Sequence, residues 1–142
     1  MPKLKALIDK IQEDYPDLQF EQAESFSFHS PCYISYNPNL ENAELTLLHE
    51  LGHYLDHDQD YSSDIALLRL EAEAWQRAEQ LSKQYGISWN EDFAQAKLDS
   101  YRDWLHQASL CKICEINGYQ DKNGNYHCPL CGLKWPAKSL PE

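Results

Sequence analysis

The stretch Leu47-Leu48-His49-Glu50-Leu51-Gly52-His53-Tyr54-Leu55 decides how this chain is read. It carries H-E-x-x-H inside a run with helical apolar spacing. Residues i and i+4 of a helix stand one turn apart on the same face, so the imidazoles of His49 and His53 can reach one ion. Zinc accepts two nitrogens plus a third protein ligand and keeps a fourth position open. Glu50 stands about 100° around the helix from His49, where it can take a proton without binding the metal. Leu47, Leu48, Leu51, Tyr54 and Leu55 cluster on the opposite side. One face is therefore expected to pack into a core while the other offers ligands. Gly52 leaves room beside the ligands at some cost in helix propensity.

Outward from this segment, the spacing predicts a helix from about Glu41 to His57, with Asn39 or Asn42 as its cap. Before it, residues 3–14 read as a helix with Leu4, Leu7, Ile8 and Ile11 on one stripe, ended by Pro16. Residues 18–28, with Phe26 and Phe28 at period two, and residues 32–36, with Cys32, Ile34 and Tyr36 on one face, read as short strands. Ser30-Pro31 is the turn between them, and Cys32 is expected as a buried free thiol. After it, Ser63 can cap a long helix that Gly86 stops after Tyr85. Asn90 can cap a third helix, about Glu91 to Gln107, with Ala94, Leu98, Tyr101, Leu105 and Ala108 as its stripe.

The two histidines need a third ligand. His57 lies eight residues from His49 and is expected at the surface in a fraying last turn. Glu71 and Glu73 on the next helix are better placed, and helical phase separates them. Leu67, Leu70, Ala74, Trp75, Ala78, Leu81 and Tyr85 define the stripe expected to be buried. Glu71 falls within it, and a carboxylate facing a core is unfavourable unless it is paired or bound to metal. Glu73 lies off the stripe with Arg69 and Arg77 each four residues away. Phase favours Glu71. The alternative, Glu73, has a 19-residue gap from His53 that matches a spacing common among Glu-liganded zinc peptidases.

A second constellation follows a change in composition near Ser109, which divides the chain into residues 1–108 and 109–142. Cys111-Lys112-Ile113-Cys114 and Cys128-Pro129-Leu130-Cys131 are separated by 13 residues. Each C-x-x-C forms a knuckle, and two knuckles on a hairpin complete a tetrahedral four-thiolate zinc site. Asn123-Gly124 suits the hairpin tip, and Gly118 and Gly132 are expected in tight turns after the knuckles. A zinc ribbon this small cannot hold a core without metal. Tyr119, Tyr126 and Trp135 are expected to form what core it has, the alternative being a stacking surface for bases. His127 is expected at the surface.

Length and charge bound the function. The chain has 142 residues and 16.6 kDa, with 42% hydrophobic and 25% charged residues, an ordinary globular composition. Lys plus Arg number 12 against 23 Asp plus Glu, a formal charge of -11. Residues 1–108 carry -12 and residues 109–142 carry +1. Four thiolates and two zinc ions cancel, so metal loading leaves this balance unchanged. Nucleic acid is therefore an unfavoured partner, since phosphate affinity comes from Lys and Arg. No apolar run approaches the roughly 20 residues of a membrane helix. The start, Met1 to Asp14, has no continuous apolar core of a secretory signal. A cytoplasmic, reducing location favours zinc over disulfides for the paired cysteines.

Tyr33-Ile34-Ser35-Tyr36-Asn37, the H-E-x-G-H segment and Leu70-Glu71-Ala72-Glu73-Ala74-Trp75 together resemble the ImmA/IrrE-type zinc metallopeptidases. The resemblance implies an α+β fold, with short N-terminal strands, an H-E-x-x-H helix and a following Glu-bearing helix in a small zincin-like domain. It implies that the first Glu of E-x-E-A, here Glu71, joins His49 and His53 on a catalytic zinc, with Glu50 as the catalytic residue. The family segment usually continues with Asn where this chain has Trp75. The implied activity is hydrolysis of peptide bonds in a protein or peptide substrate, as a regulatory protease acting on a specific protein such as a repressor. Two alternatives come from other classes. A SprT-type DNA-associated protease also joins H-E-x-x-H to a zinc ribbon, but takes a third His downstream. A non-catalytic protein would use the ribbon for interaction alone. Tyr101 and His106 are candidates for an oxyanion donor, each with a plainer expectation, core tyrosine and surface histidine.

Overall fold

Leu4, Leu7, Ile8 and Ile11 are buried along one stripe of α1 (Pro2–Asp14), as the apolar spacing predicts. The computed structural model describes residues 2–56 and 62–138. Among these it shows four helices and two three-stranded sheets, an α+β architecture. The chain forms two compact units, Met1–Gln59 with Glu73–Phe93, and Asp60–Ala72 with Ala94–Glu142.

In the first unit, β1 (Gln19–Gln22), β2 (Ser27–His29) and β3 (Tyr33–Tyr36) form a sheet in the order β1-β3-β2. The segment 18–28 is thus two strands. β1 runs parallel to β3 with Phe20 opposite Ile34, and β2 runs antiparallel to it with Phe28 opposite Ile34. The link between β1 and β2 is held by side chains of β3 and its exit, Ser35 Oγ donating to the Ser25 carbonyl (3.2 Å) and Asn37 Nδ2 to the Glu24 carbonyl (2.8 Å). Cys32 lies just before β3 and is half-buried, less enclosed than its alternation with Ile34 predicts.

α2 (Ala43–Leu55) carries the H-E-x-x-H segment. Asn42 precedes it in the left-handed region, φ 55°, and makes no side-chain cap. Asn tolerates that conformation, so it turns the chain into the helix instead of capping it. Burial of α2 differs from the one-sided expectation. Ala43, Leu45 and every residue from Leu47 to Gly52 are buried, His49 and Glu50 included, while His53 is half-buried. α1, β2 and β3 pack against this helix, and α3 (Asp64–Tyr85) approaches it at Gly52, beside Ala74. The far end of α3 is tied to α1 by Tyr85, whose hydroxyl donates to Asp14 Oδ2 at 2.6 Å. Burial, then the Asp14 carboxylate, push this phenol above its ordinary range.

In the second unit, Ser63 caps α3 by accepting the Ala66 N–H at 3.2 Å. α4 (Glu91–Ala108) buries Ala94, Leu98, Trp104 and Ala108, while Tyr101 and Leu105 of the expected stripe are half-buried. The start of α4 belongs to the first unit, where Asn90 Oδ1 accepts the Phe93 N–H at 3.1 Å. The Cys-rich segment folds as β4 (Tyr119–Gln120), β5 (Tyr126–His127) and β6 (Lys134–Trp135), antiparallel and in that order. At the hairpin tip, Asp121 Oδ1 accepts the N–H groups of Asn123 and Asn125. Gly118 serves close approach, not a left-handed turn, since a Cβ there would collide with the His127 carbonyl on the facing strand. After the first knuckle it is Glu115 that takes positive φ, at 58°. Tyr126 is buried and its ring stacks on Trp135. Tyr119 is 57% exposed and stacks instead on His127.

Candidate metal centres

His49, His53 and Glu71 form one of two groups whose ligand atoms converge, all within 4.8 Å of one another. α2 supplies the two imidazoles from adjacent turns, with Nε2 of His53 3.1 Å from Nε2 of His49. Glu71 stands three residues before Ala74 on α3, hence on the same helical face. Both His49 and Glu71 are buried. Glu73 is not in the group. It lines a small polar groove with Asp56, Gln76, Arg77 and Gln80. Arg77, one of the two partners expected for it, donates to both oxygens of Asp56, at 3.2 and 3.0 Å. His57 lies outside the described residues.

The remaining edges of His49 are also set. Its Nδ1 lies 3.4 Å from Oε1 of Glu50. A carboxylate at Nδ1 favours the tautomer that leaves the Nε2 lone pair free for a cation. One ring face stacks on Trp75, centroids 4.3 Å apart and planes 12° from parallel. Trp75 is in turn edge-packed by Trp89 and Phe93. Sequence periodicity places Trp75 in the core stripe and gives no sign that it also orients a ligand. The useful signal is its offset, one residue past the Gly52 contact at Ala74. Glu50 is buried and is not among the converging ligand atoms.

Gly52 makes this arrangement sterically possible. A Cβ at that position would sit 2.8 Å from the Ala74 carbonyl oxygen, a backbone atom that cannot swing away. Helix propensity alone predicts that Gly52→Ala stabilises the chain by about 1 kcal/mol. The contact predicts the opposite, since forcing an extra carbon into packed helices costs about 1–3 kcal/mol. Thermal unfolding of Gly52→Ala is expected to show a lower Tm than wild type. A higher Tm would mean that α2 and α3 are not held at this separation.

Cys111, Cys114, Cys128 and Cys131 form the second group. Sγ of Cys111 and Sγ of Cys131 are 3.7 Å apart, and none of the five cysteines is disulfide-bonded. Each knuckle aims a backbone N–H at its leading sulfur, Cys114 N–H at Cys111 (3.4 Å) and Cys131 N–H at Cys128 (3.5 Å). The Cys131 N–H lowers the Cys128 thiol to about 7. Hydrogen bonding to the Cys131 side chain, then burial, pushes Cys114 up to about 12. His127 is half-buried and pairs with Asp121 at 2.7 Å, outside the sulfur cluster. Tyr101 is half-buried on α4, and His106 is exposed near its end, where its carbonyl accepts Asn117 Nδ2 at 3.1 Å. His106 belongs to neither converging group among the described residues. No helix among these residues is long and apolar enough to cross a membrane.

No family profile, curated protein or solved structure matches this chain.

Proposed function

We propose that this chain is a zinc-dependent metallopeptidase of the ImmA/IrrE type with a structural zinc ribbon, acting in the cytoplasm on a specific protein. The observation that carries the reading is the convergence of His49, His53 and Glu71 beside Glu50. Their donor set, two imidazole nitrogens and one carboxylate oxygen, is that of zinc sites with an open position. Tetrahedral bonds of 2.0–2.1 Å place ligand nitrogens about 3.3 Å apart, against 3.1 Å between the two Nε2 atoms. At the cysteines, bonds of about 2.3 Å give sulfur separations of about 3.8 Å, against 3.7 Å for Cys111 and Cys131.

When bound at the first site, zinc supplies Lewis acidity toward a water and a substrate carbonyl. The chain supplies the rest. Glu71 contributes negative charge to two neutral imidazoles. Trp75 fixes the plane of His49. Glu50 holds the Nδ1 edge of His49 and exchanges that contact for the attacking water, whose proton it accepts. It then returns this proton to the leaving nitrogen of the peptide bond. Burial of Glu50 keeps competing solvent from the carboxylate.

Elemental analysis of protein purified without chelator tests the reading, with two zinc per chain expected. His49→Ala and Cys111→Ser are each expected to remove one. A single zinc that Cys111→Ser removes and His49→Ala leaves in place would overturn the metallopeptidase assignment.

A further inference from the structure

The Cys-rich hairpin is bonded to the start of α3. Gln120 Oε1 accepts the Asp64 N–H at 2.8 Å, while Gln120 Nε2 reaches Asp64 Oδ2 (3.3 Å) and the Gly124 carbonyl (2.9 Å). The Tyr126 hydroxyl donates to the same Asp64 oxygen. At the other end of the module, Trp135 Nε1 donates to the Ala108 carbonyl at 2.7 Å, and Asn117 Nδ2 donates to Ser109 Oγ at 2.8 Å. Tyr126 of β5 lies two residues from Cys128, and Gln120 of β4 is its partner across the hairpin. Asp64 and Glu71 lie on one helix, seven residues apart, so about two turns and on one face. Both belong to the same compact unit as the whole hairpin.

A ribbon used only to capture a partner has no reason to place a buried tyrosine and a three-bond glutamine on a helix start. We propose that the four-cysteine module is an internal brace for the third ligand. Its hairpin fixes Asp64 through Gln120 and Tyr126, and Asp64 fixes the axial and rotational position of Glu71. Tyr126, Gln120 and Asp64 are then positioning residues for the His49–His53–Glu71 site, and the loading of one metal group supports the other. The inference rests on that site binding metal. By linkage the support is mutual.

The test is zinc titration by calorimetry into protein that retains its cysteine-bound zinc, with the His/Glu site cleared by a weak chelator. Asp64→Ala removes the acceptor from the α3 side and leaves the hairpin's own bonds, Gln120 to Gly124 and His127 to Asp121, in place. Partners that orient metal ligands are worth about 10–100-fold in affinity. Asp64→Ala and the double variant Gln120→Ala/Tyr126→Phe are expected to bind zinc at the His/Glu site at least about 10-fold more weakly. Ser63→Ala is the control, since it removes the Ala66 capping bond and touches no ribbon residue. Its affinity is expected within about two-fold of wild type. Asp64→Ala binding as wild type does, or Ser63→Ala losing as much as Asp64→Ala, would overturn the brace. Wild type taking up no zinc at this site would instead defeat the metallopeptidase reading itself.

Discussion

Cys128→Ser is expected to release one metal per chain and to unfold the hairpin of β4, β5 and β6, leaving α1 and α2 folded. The module has little else to hold it. Among its described residues the buried ones are Ser109, Cys111, Tyr126 and Cys128, and two of those are proposed ligands. Ile113 and Leu130, at the knuckle tips, are 70% and 72% exposed and add no core. Its strands are two residues each, so the ladder contributes few hydrogen bonds. Structural zinc in small cysteine-rich modules supplies about 10–16 kcal/mol of folding free energy near neutral pH, far above what one stacked Tyr126–Trp135 pair adds, about 0.5–1.5 kcal/mol. Amide exchange is the readout. The N–H groups of Cys128 and Gly118, bonded to the Leu133 and Ser109 carbonyls, are expected to lose protection. α2 amides are expected to keep theirs. Protected hairpin amides in a variant shown to lack the metal would mean that apolar contacts hold the module.

The two candidate metal groups are legible in the sequence because the spacing of their donors is local. C-x-x-C and H-E-x-x-H place donors at fixed separations along one chain segment. Glu71 is legible because period 3.6 ties its phase to Leu67, Ala74 and Ala78, all three of them buried. What is not legible comes from contacts distant in sequence. The parallel pairing of β1 with β3 depends on a sheet order that no local pattern encodes. The unbroken burial of α2 from Leu47 to Gly52 follows from the several elements packed on it, whereas the periodicity of one segment reports only its own face. Asn42 reads as a cap by residue type, but its left-handed backbone uses the tolerance of Asn for that region instead. Trp75 reads as core and is core, and its stacking on His49 is set by where α2 and α3 cross. That Asp64 is a fixed point for the hairpin is also beyond local reading, since its partners lie 56 and 62 residues away.

Glu50→Gln is expected to keep two metals per chain and to lower hydrolysis by about 10²- to 10⁴-fold, the usual contribution of a general base. That is about 3–5 kcal/mol of barrier at 1.36 kcal/mol per factor of ten. The substitution isolates proton transfer. Gln is isosteric, can still accept at the Nδ1 edge of His49, and cannot take a proton from water at neutral pH. Glu71→Gln has the same chemistry on the neighbouring helix and a different consequence. It removes the charge from the ligand set, so metal is expected to be lost together with activity. Both carboxylates are 7% exposed, so burial alone does not distinguish their roles. Membership of the converging group does, since it includes Glu71 and leaves out Glu50. The pair of variants is therefore measured together, by zinc per chain and by mass-spectrometric digestion of a mixed peptide library with wild-type holoprotein as reference. Metal retained with cleavage lost in Glu50→Gln, and both lost in Glu71→Gln, is the signature of base and ligand. Cleavage at the wild-type rate in Glu50→Gln would mean that the proton leaves the water by another route, and the assignment of Glu50 would fail with the metal site intact.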